Sequence, residues 1–276
     1  MKNLIITMLA GALMMGFATE VAMANESGPK VKAKRFIVID DATGAVLYEK
    51  KSTERCAVAS TQKLLTALCV SEAGLNNTVY VKHSDTTVEP SKIYIRSGEK
   101  YSRGELVKAL LVKSGNDAAR ALARDVAGSE AKFSKVMNAK AKSLGMNDSH
   151  FKNPHGLTVT GQYSTARDIA ILARSVTRNK TLAAHMKLKG YYFTPPGRKK
   201  RWLSNTNKLL KSVSYCTGMK TGTTRASGRC LVCSGELGGR KVIVVCLGSD
   251  SQNIWKDSEK LLRWALEGAG KPAIQR

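Results

Sequence analysis

Strand patterns sit at both ends of this 276-residue chain, and helical periodicity fills the middle. Near the start, residues 35–40 (RFIVID) and 45–49 (AVLYE) are rich in β-branched and aromatic residues. Asp41-Ala42-Thr43-Gly44 between them puts a glycine in the connection, which predicts a hairpin. Near the end, 227–234 and 241–247 read as two more strands linked by Gly238-Gly239, and an amphipathic helix follows over about 253–267. Between these, apolar residues recur at helical spacing over 102–113, 117–127, 129–144 and 165–178. Breaks fall at Gly115-Asn116, Gly128, Gly145 and the Asn153-Pro154-His155-Gly156 turn. Thr165 with Asp168 predicts a capping box at the last of these helices. Strands from the two ends must find partners, and one another is the available choice. The pattern predicts an α/β chain: an antiparallel sheet flanked by helices, with a sheet part at 35–100 and 186–270 and a helical insert of about 101–185. Residues 76–101 read as short strands and loops, and 186–212 as basic and mixed. No solenoid repeat is present.

Composition narrows the class. Hydrophobic residues at 43% and charged ones at 24% fit a globular core rather than a disordered chain. Forty-five basic against 21 acidic residues give a net charge of +24, which points to an anionic partner. Aromatic content is 6%, and no aromatic residues are read as interleaved with a basic stripe, so no nucleic-acid partner is predicted. Lys2, the apolar run 4–17 and Ala22-Met23-Ala24 form a secretory signal, with cleavage predicted after Ala24. The run is shorter than a spanning helix. The product is therefore expected to be exported, to a periplasmic or other extracytoplasmic site, with 25–34 as a polar leader. Six cysteines then matter. Cys230 and Cys233 lie three apart on a predicted strand and should face opposite ways, so they should neither pair nor share a metal. Buried free thiols are the expectation for all six. His83, His150 and His185 show no ligand spacing, so neither metal nor cofactor is predicted.

Three short segments carry the chemistry. A helix starting at Ser60 and running to about Glu72 would place Ser60 and Lys63 on one face, one turn apart. Ser60 would sit at the helix N-terminus, where free N–H groups favour developing negative charge. A desolvated lysine can lose its proton and act as base for the hydroxyl. Ser114-Gly115-Asn116 falls at a junction of two predicted helices, and Lys220-Thr221-Gly222-Thr223 immediately precedes the first late strand. Each has an ordinary reading alone: a cap, a helix break, a solvated turn. All three in this order match the triple signature of penicillin-binding proteins and class A β-lactamases.

The chain resembles the low-molecular-weight penicillin-binding proteins of the D-alanyl-D-alanine carboxypeptidase family, over about residues 33–267. Further blocks are similar: Ser114-Gly115-Asn116-Asp117-Ala118-Ala119, Met137-Asn138-Ala139-Lys140-Ala141, Leu144-Gly145-Met146, Asn153-Pro154-His155-Gly156-Leu157, Ser164-Thr165-Ala166-Arg167-Asp168 and Asn205-Thr206-Asn207-Lys208-Leu209-Leu210. The resemblance implies a penicillin-binding-protein/β-lactamase-like transpeptidase fold for a D,D-peptidase domain at 35–270. It implies a serine-type carboxypeptidase that removes the terminal D-alanine of peptidoglycan stem peptides and binds β-lactams covalently. Ser60 would form the acyl-enzyme, with Lys63 as base. Ser114 would relay the proton to the leaving amine, and Asn116 would hold Lys63 and the substrate amide. Lys220, Thr221, Gly222 and Thr223 would bind substrate. The N–H groups of Ser60 and Thr223 would form the oxyanion hole. Some relatives carry a carboxylate-binding arginine in the loop before the last helix. Here that loop, Ser251-Gln252-Asn253-Ile254-Trp255-Lys256, has none, and Arg225 is the expected replacement. A β-rich C-terminal domain and membrane tail, present in many relatives, are expected to be absent, which leaves contact with a membrane surface open. His155 is expected to be structural. The alternatives are a D,D-endopeptidase with the same residues, a β-lactamase, for which no Glu-x-x-x-Asn loop is read, and a silent peptidoglycan-binding protein.

Overall fold

The computed structural model describes residues 28–267. The predicted signal peptide, residues 25–27 of the leader and the end of the predicted domain lie outside them. Strands β1 (Arg35–Asp40) and β2 (Val46–Lys50) form the expected hairpin, antiparallel with Val38 opposite Tyr48. Late in the chain come β7 (Cys216–Thr224), β8 (Gly228–Leu237) and β9 (Arg240–Ser249). β9 pairs with β1, so the two ends close one antiparallel sheet in the order β2-β1-β9-β8-β7.

Strand alternation divides the sheet's two faces. Ile37, Ile39, Val232, Ile243 and Val245 face the helical block, while Phe36, Val38, Leu231, Cys233 and Val244 face α9 (Asn253–Glu267). Cys230 and Cys233 fall into opposite cores, as their spacing predicts, and all six cysteines are free thiols. Among the described residues no helix is long and apolar enough to cross a membrane.

The helical block holds α3 (Arg103–Lys113), α4 (Asn116–Ala127), α5 (Glu130–Ser143), α6 (Ala166–Thr177) and α7 (Lys180–Lys187). The Thr165 side chain accepts the Asp168 N–H at 3.0 Å, so it caps α6. Among these helices runs α1 (Lys63–Glu72), packed against α3, α4, α5 and α6 and buried from Lys63 to Val70. An all-round buried helix can hold its first turn still, because packing locks the rotamers on each face.

Several elements differ from expectation. The helix does not start at Ser60: residues Ala59–Gln62 form a 3-10 turn that leads into α1. Lys220 to Thr223 do not precede a strand but lie within one, β7, at the sheet edge. Thr and Gly there break the apolar alternation that marks a strand in sequence. The segment 186–212 contains a hairpin, β5 (Gly190–Phe193) with β6 (Arg201–Ser204), and the short helix α8 (Leu209–Ser212). Within 76–101 lie β3 (Thr78–Tyr80), α2 (His83–Thr86) and the start of β4 (Lys100–Ser102). Aromatic and basic residues do interleave in the β5–β6 hairpin, where Lys200 lies over the Tyr192 ring and Arg201 over that of Phe193. These pairs form across the hairpin, between residues eight positions apart.

Candidate active site

The 3-10 turn, the α3–α4 junction and β7 meet at one cleft of about 530 Å³. Ser60 is half-buried on its floor. Lys63 donates to Ser60 Oγ at 2.7 Å and to Asn116 Oδ1 at 2.6 Å, and also bonds the His155 carbonyl. Its side chain is fully buried. Burial first, then the Lys220 charge, push the Lys63 amine well below its ordinary value; Asp117 opposes them. An amine whose proton is held less tightly than usual, one hydrogen bond from a hydroxyl, is the arrangement a serine nucleophile needs.

Across the cleft, Lys220 donates to Ser114 Oγ at 2.8 Å and to the Thr221 carbonyl at 2.9 Å. It too is fully buried, which pushes its ammonium down to about 7. Ser114 occupies the left-handed region at φ 67°, at the C-cap of α3. Such a conformation costs a non-glycine residue energy and turns its hydroxyl out of the helix line. Two Asn116 bonds hold this junction: its N–H to the Ser91 carbonyl at 2.7 Å, and its Nδ2 to the Glu89 carbonyl at 2.7 Å. Behind it, the buried Asp117 carboxylate accepts the Ile93 N–H at 3.0 Å and the Ile95 N–H at 3.3 Å.

The Asn153-Pro154-His155-Gly156 turn is the part of the site that sequence reasoning missed. Gln62 Nε2 donates to the Asn153 carbonyl at 2.6 Å, and Thr66 Oγ1 to the Pro154 carbonyl at 2.7 Å. The His155 carbonyl accepts from both Lys63 and Ser60 Oγ, the latter at 3.2 Å. The turn is thus docked, backbone first, on Ser60 and Lys63. The His155 ring faces away from this chemistry: Nδ1 accepts the Leu157 N–H at 3.2 Å and Nε2 lies 3.4 Å from Glu130. Burial lowers its pKa, and Nδ1 accepting a hydrogen bond fits the unprotonated ring. Gly156 has φ +88°, and a Cβ there would overlap the Ala59 carbonyl and come 2.8 Å from the Ser60 nitrogen. Gly156→Ala is therefore expected to destabilise the fold by about 3 kcal/mol and to displace Ser60. A lowered urea midpoint at unchanged slope, with lost activity in the surviving native fraction, is the expected measurement.

β7 approaches the same turn from the other side. A Cβ on Gly222 would come within 3.0 Å of the Ser60 nitrogen and 2.9 Å of the Val58 carbonyl. Glycine here lets the strand that carries Thr223 run against the turn that carries Ser60. Thr221 Oγ1 donates to Thr206 Oγ1 at 2.7 Å.

Arg225 does not join this site. It lies in the β7–β8 turn and lines a separate cavity with Lys32, Lys34, Cys56 and Ala57. The turn carries it past the strand end. Arg229 stands in the cleft instead: it pairs with Thr223 across β7–β8 and donates from Nη1 to Thr223 Oγ1 at 3.2 Å. Cross-strand register is the signal that finds it, and that register needs β7 to be read as a strand. Lys113, Lys208 and Lys211 also line the cleft, and among the described residues no aspartate or glutamate lines it. The arrangement is an anion trap around a nucleophile. A Glu-x-x-x-Asn spacing does occur, at Glu72 and Asn76, contrary to the reading of the sequence. It lies at the far end of α1 from Ser60, and Glu72 pairs with Lys140 at 2.7 Å.

A family model described as D-alanyl-D-alanine carboxypeptidase matches residues 22–251. The chain is 36% identical over 262 residues to the D-alanyl-D-alanine carboxypeptidase DacF of Bacillus subtilis, covering 91% of this chain and 67% of that protein. It is 35% identical over 284 residues to DacC of Escherichia coli, covering 96% and 70%. Among solved structures, the D-alanyl-D-alanine carboxypeptidase DacD of Francisella tularensis superposes with a TM-score of 0.81 at 30% identity, over 87% of this chain and 71% of that one. A D-alanyl-D-alanine carboxypeptidase of Mycobacterium tuberculosis gives 0.81 at 30% identity, over 86% and 92%.

Proposed function

The chain belongs to the D-alanyl-D-alanine carboxypeptidase family, a family of serine-type hydrolases, and from that premise we propose how its own residues divide the work. Ser60 Oγ attacks the carbonyl of the terminal D-alanyl-D-alanine bond of a peptidoglycan stem peptide. Lys63 takes the proton. The N–H groups of Ser60 and Thr223 receive the oxyanion. Ser114, bridged to Lys220, passes a proton to the leaving D-alanine nitrogen. That bond breaks, free D-alanine departs, and water hydrolyses the Ser60 ester to regenerate the enzyme. A β-lactam, whose ring amide mimics the scissile bond, acylates the same serine. The observation that carries this reading is the buried Lys63 amine at 2.7 Å from Ser60 Oγ.

The substrate's terminal carboxylate is placed by Thr221, Thr223 and Arg229, with Lys220 supplying charge from beneath. Arg229→Ala is expected to raise KM for a stem pentapeptide about tenfold with kcat nearly unchanged, because a carboxylate contact made equally in ground and transition states acts on KM. Arg225→Ala should change neither, and an effect of Arg225→Ala equal to that of Arg229→Ala would reverse the assignment.

Product analysis tests the reaction. Incubation with a stem pentapeptide should release free D-alanine, and incubation with cross-linked dimeric muropeptides should leave them intact. Cleaved dimers would make the enzyme an endopeptidase with the same catalytic residues. Residues 1–24 have the pattern of an export signal, and N-terminal sequencing of the protein recovered outside the cytoplasm should begin at Asn25.

A further inference from the structure

Glu89 is exposed and stands apart from the other acidic residues. Every other carboxylate between Asp40 and Glu259 accepts a hydrogen bond or pairs with a cation. The Glu89 carboxylate does neither, in a chain where 45 basic residues face 21 acidic ones. Its backbone sits at the rim of the catalytic cleft. The Glu89 carbonyl accepts Asn116 Nδ2 at 2.7 Å, and Pro90 and Ser91, next in the chain, line the cleft.

The α3–α4 junction orders the cleft. The Val112 carbonyl accepts the Thr206 N–H at 3.1 Å, and Thr206 bonds Thr221, where the substrate's terminal carboxylate is placed. Ser114 comes next and meets Lys220. Asn116 follows, touching Lys63 through Oδ1 and the Glu89 carbonyl through Nδ2. Along this line the peptide runs from its carboxylate at Thr221, past the leaving nitrogen at Ser114 and the scissile carbonyl at Ser60, to the acyl part beside Asn116. Asn116 Nδ2 has two hydrogens and gives one to Glu89, which leaves the other for the substrate amide. Glu89 therefore borders the acyl part and not the leaving group.

The two D-alanines bring no charged side chain. The first residue upstream that can carry one lies one step further back, about 3.5 Å of extended chain. A carboxylate at that point selects a cation. Lys113, Lys208, Lys211 and Arg229 line the cleft and would repel a substrate amine, and Glu89 at the rim is the group placed to offset them. We propose that Glu89 receives the side-chain amine of the stem residue that precedes the two D-alanines, so that the enzyme prefers stem peptides in which that amine is free over those in which it is acylated. This rests on the cell-wall peptidase reading above.

The test measures KM for two stem pentapeptides that differ in one group, a free or an acetylated side-chain amine at that residue, with the wild type, Glu89→Gln and Glu89→Lys. An exposed ion pair has modest strength, so the wild type should show about a threefold lower KM for the free amine. Glu89→Gln should bring the two KM values together, and Glu89→Lys should reverse their order. The wild-type preference should shrink at high salt. The pair lies away from the scissile bond, so kcat should not distinguish the two peptides. A purely structural role for Glu89 would change both peptides alike, so an equal loss on both overturns the inference, and so does a preference that survives in Glu89→Gln. Equal KM values in an active wild type overturn the inference and leave the hydrolase reading standing. A wild type that turns over neither peptide and takes up no penicillin overturns both.

Discussion

Ser60→Ala should take up no fluorescent penicillin and should lose D-alanine release by about a hundred-thousandfold or more. Removing a serine nucleophile costs nearly the whole catalytic advantage of its group, because the remaining members then have nothing to activate. The fold should survive. Ser60 is half-buried, and its turn is held by Gln62 and Thr66 bonds to the neighbouring Asn153–Gly156 loop rather than by its own hydroxyl. An unchanged melting curve beside absent label is the expected pair of results. The structure contains a second serine–lysine contact, Ser114 with Lys220, so the experiment discriminates. Label that persists in Ser60→Ala and maps to Ser114 would move the nucleophile across the cleft.

The second large effect concerns Lys63. Lys63→Ala and Lys63→Arg should each lower the acylation rate by at least about a thousandfold. The arginine variant is the informative one, since a guanidinium keeps charge and hydrogen bonds but cannot surrender its proton. Recovery of activity by arginine would mean that Lys63 acts only as a cation. The pH dependence follows from the two lysines. Lys63 must be neutral, so the acylation rate constant should fall as pH drops through its depressed value. Lys220 must be charged, and with its ammonium at about 7 the rate should also fall on the alkaline side. Lys220→Arg should remove the alkaline limb and leave the acid limb in place. Both depressions burden the fold. Between the folded values and the ordinary 10.5, the unfolded chain binds more protons at these two positions, so their destabilising effect fades as pH rises through that window.

Much of this was legible in residue order because its causes are local. The RFIVID hairpin, the glycine breaks between helices and the opposed Cys230 and Cys233 each follow from a period of 2 or 3.6 that a short window contains. Ser60 and Lys63 are neighbours on one turn, and their spacing shows it. What stayed hidden depends on distant segments. β7 looks like a turn because Thr221, Gly222 and Thr223 have no apolar alternation; it is a strand because β8 supplies its hydrogen bonds. With β7 unread as a strand, the cross-strand pairing that sets Arg229 beside Thr223 in the cleft could not be seen, and Arg225 was the nearer arginine in sequence. The His155 carbonyl was invisible for another reason: a backbone oxygen is present at every residue, and only the docking of the turn onto Gln62 and Thr66 singles this one out. The packing around the 3-10 turn at Ser60 was likewise hidden: Gly156 and Gly222 approach it from two sides, distant in sequence, more closely than a Cβ would allow.

The most direct test of the central claim is the protonation state of one amine. Nitrogen-15 NMR of selectively labelled lysine, with the Lys63 signal assigned by its loss in Lys63→Ala, should show a neutral amine in the free enzyme at pH 7.5, titrating well below 10.5. A Lys63 ammonium that holds its proton at that pH and titrates near 10.5 would contradict the account.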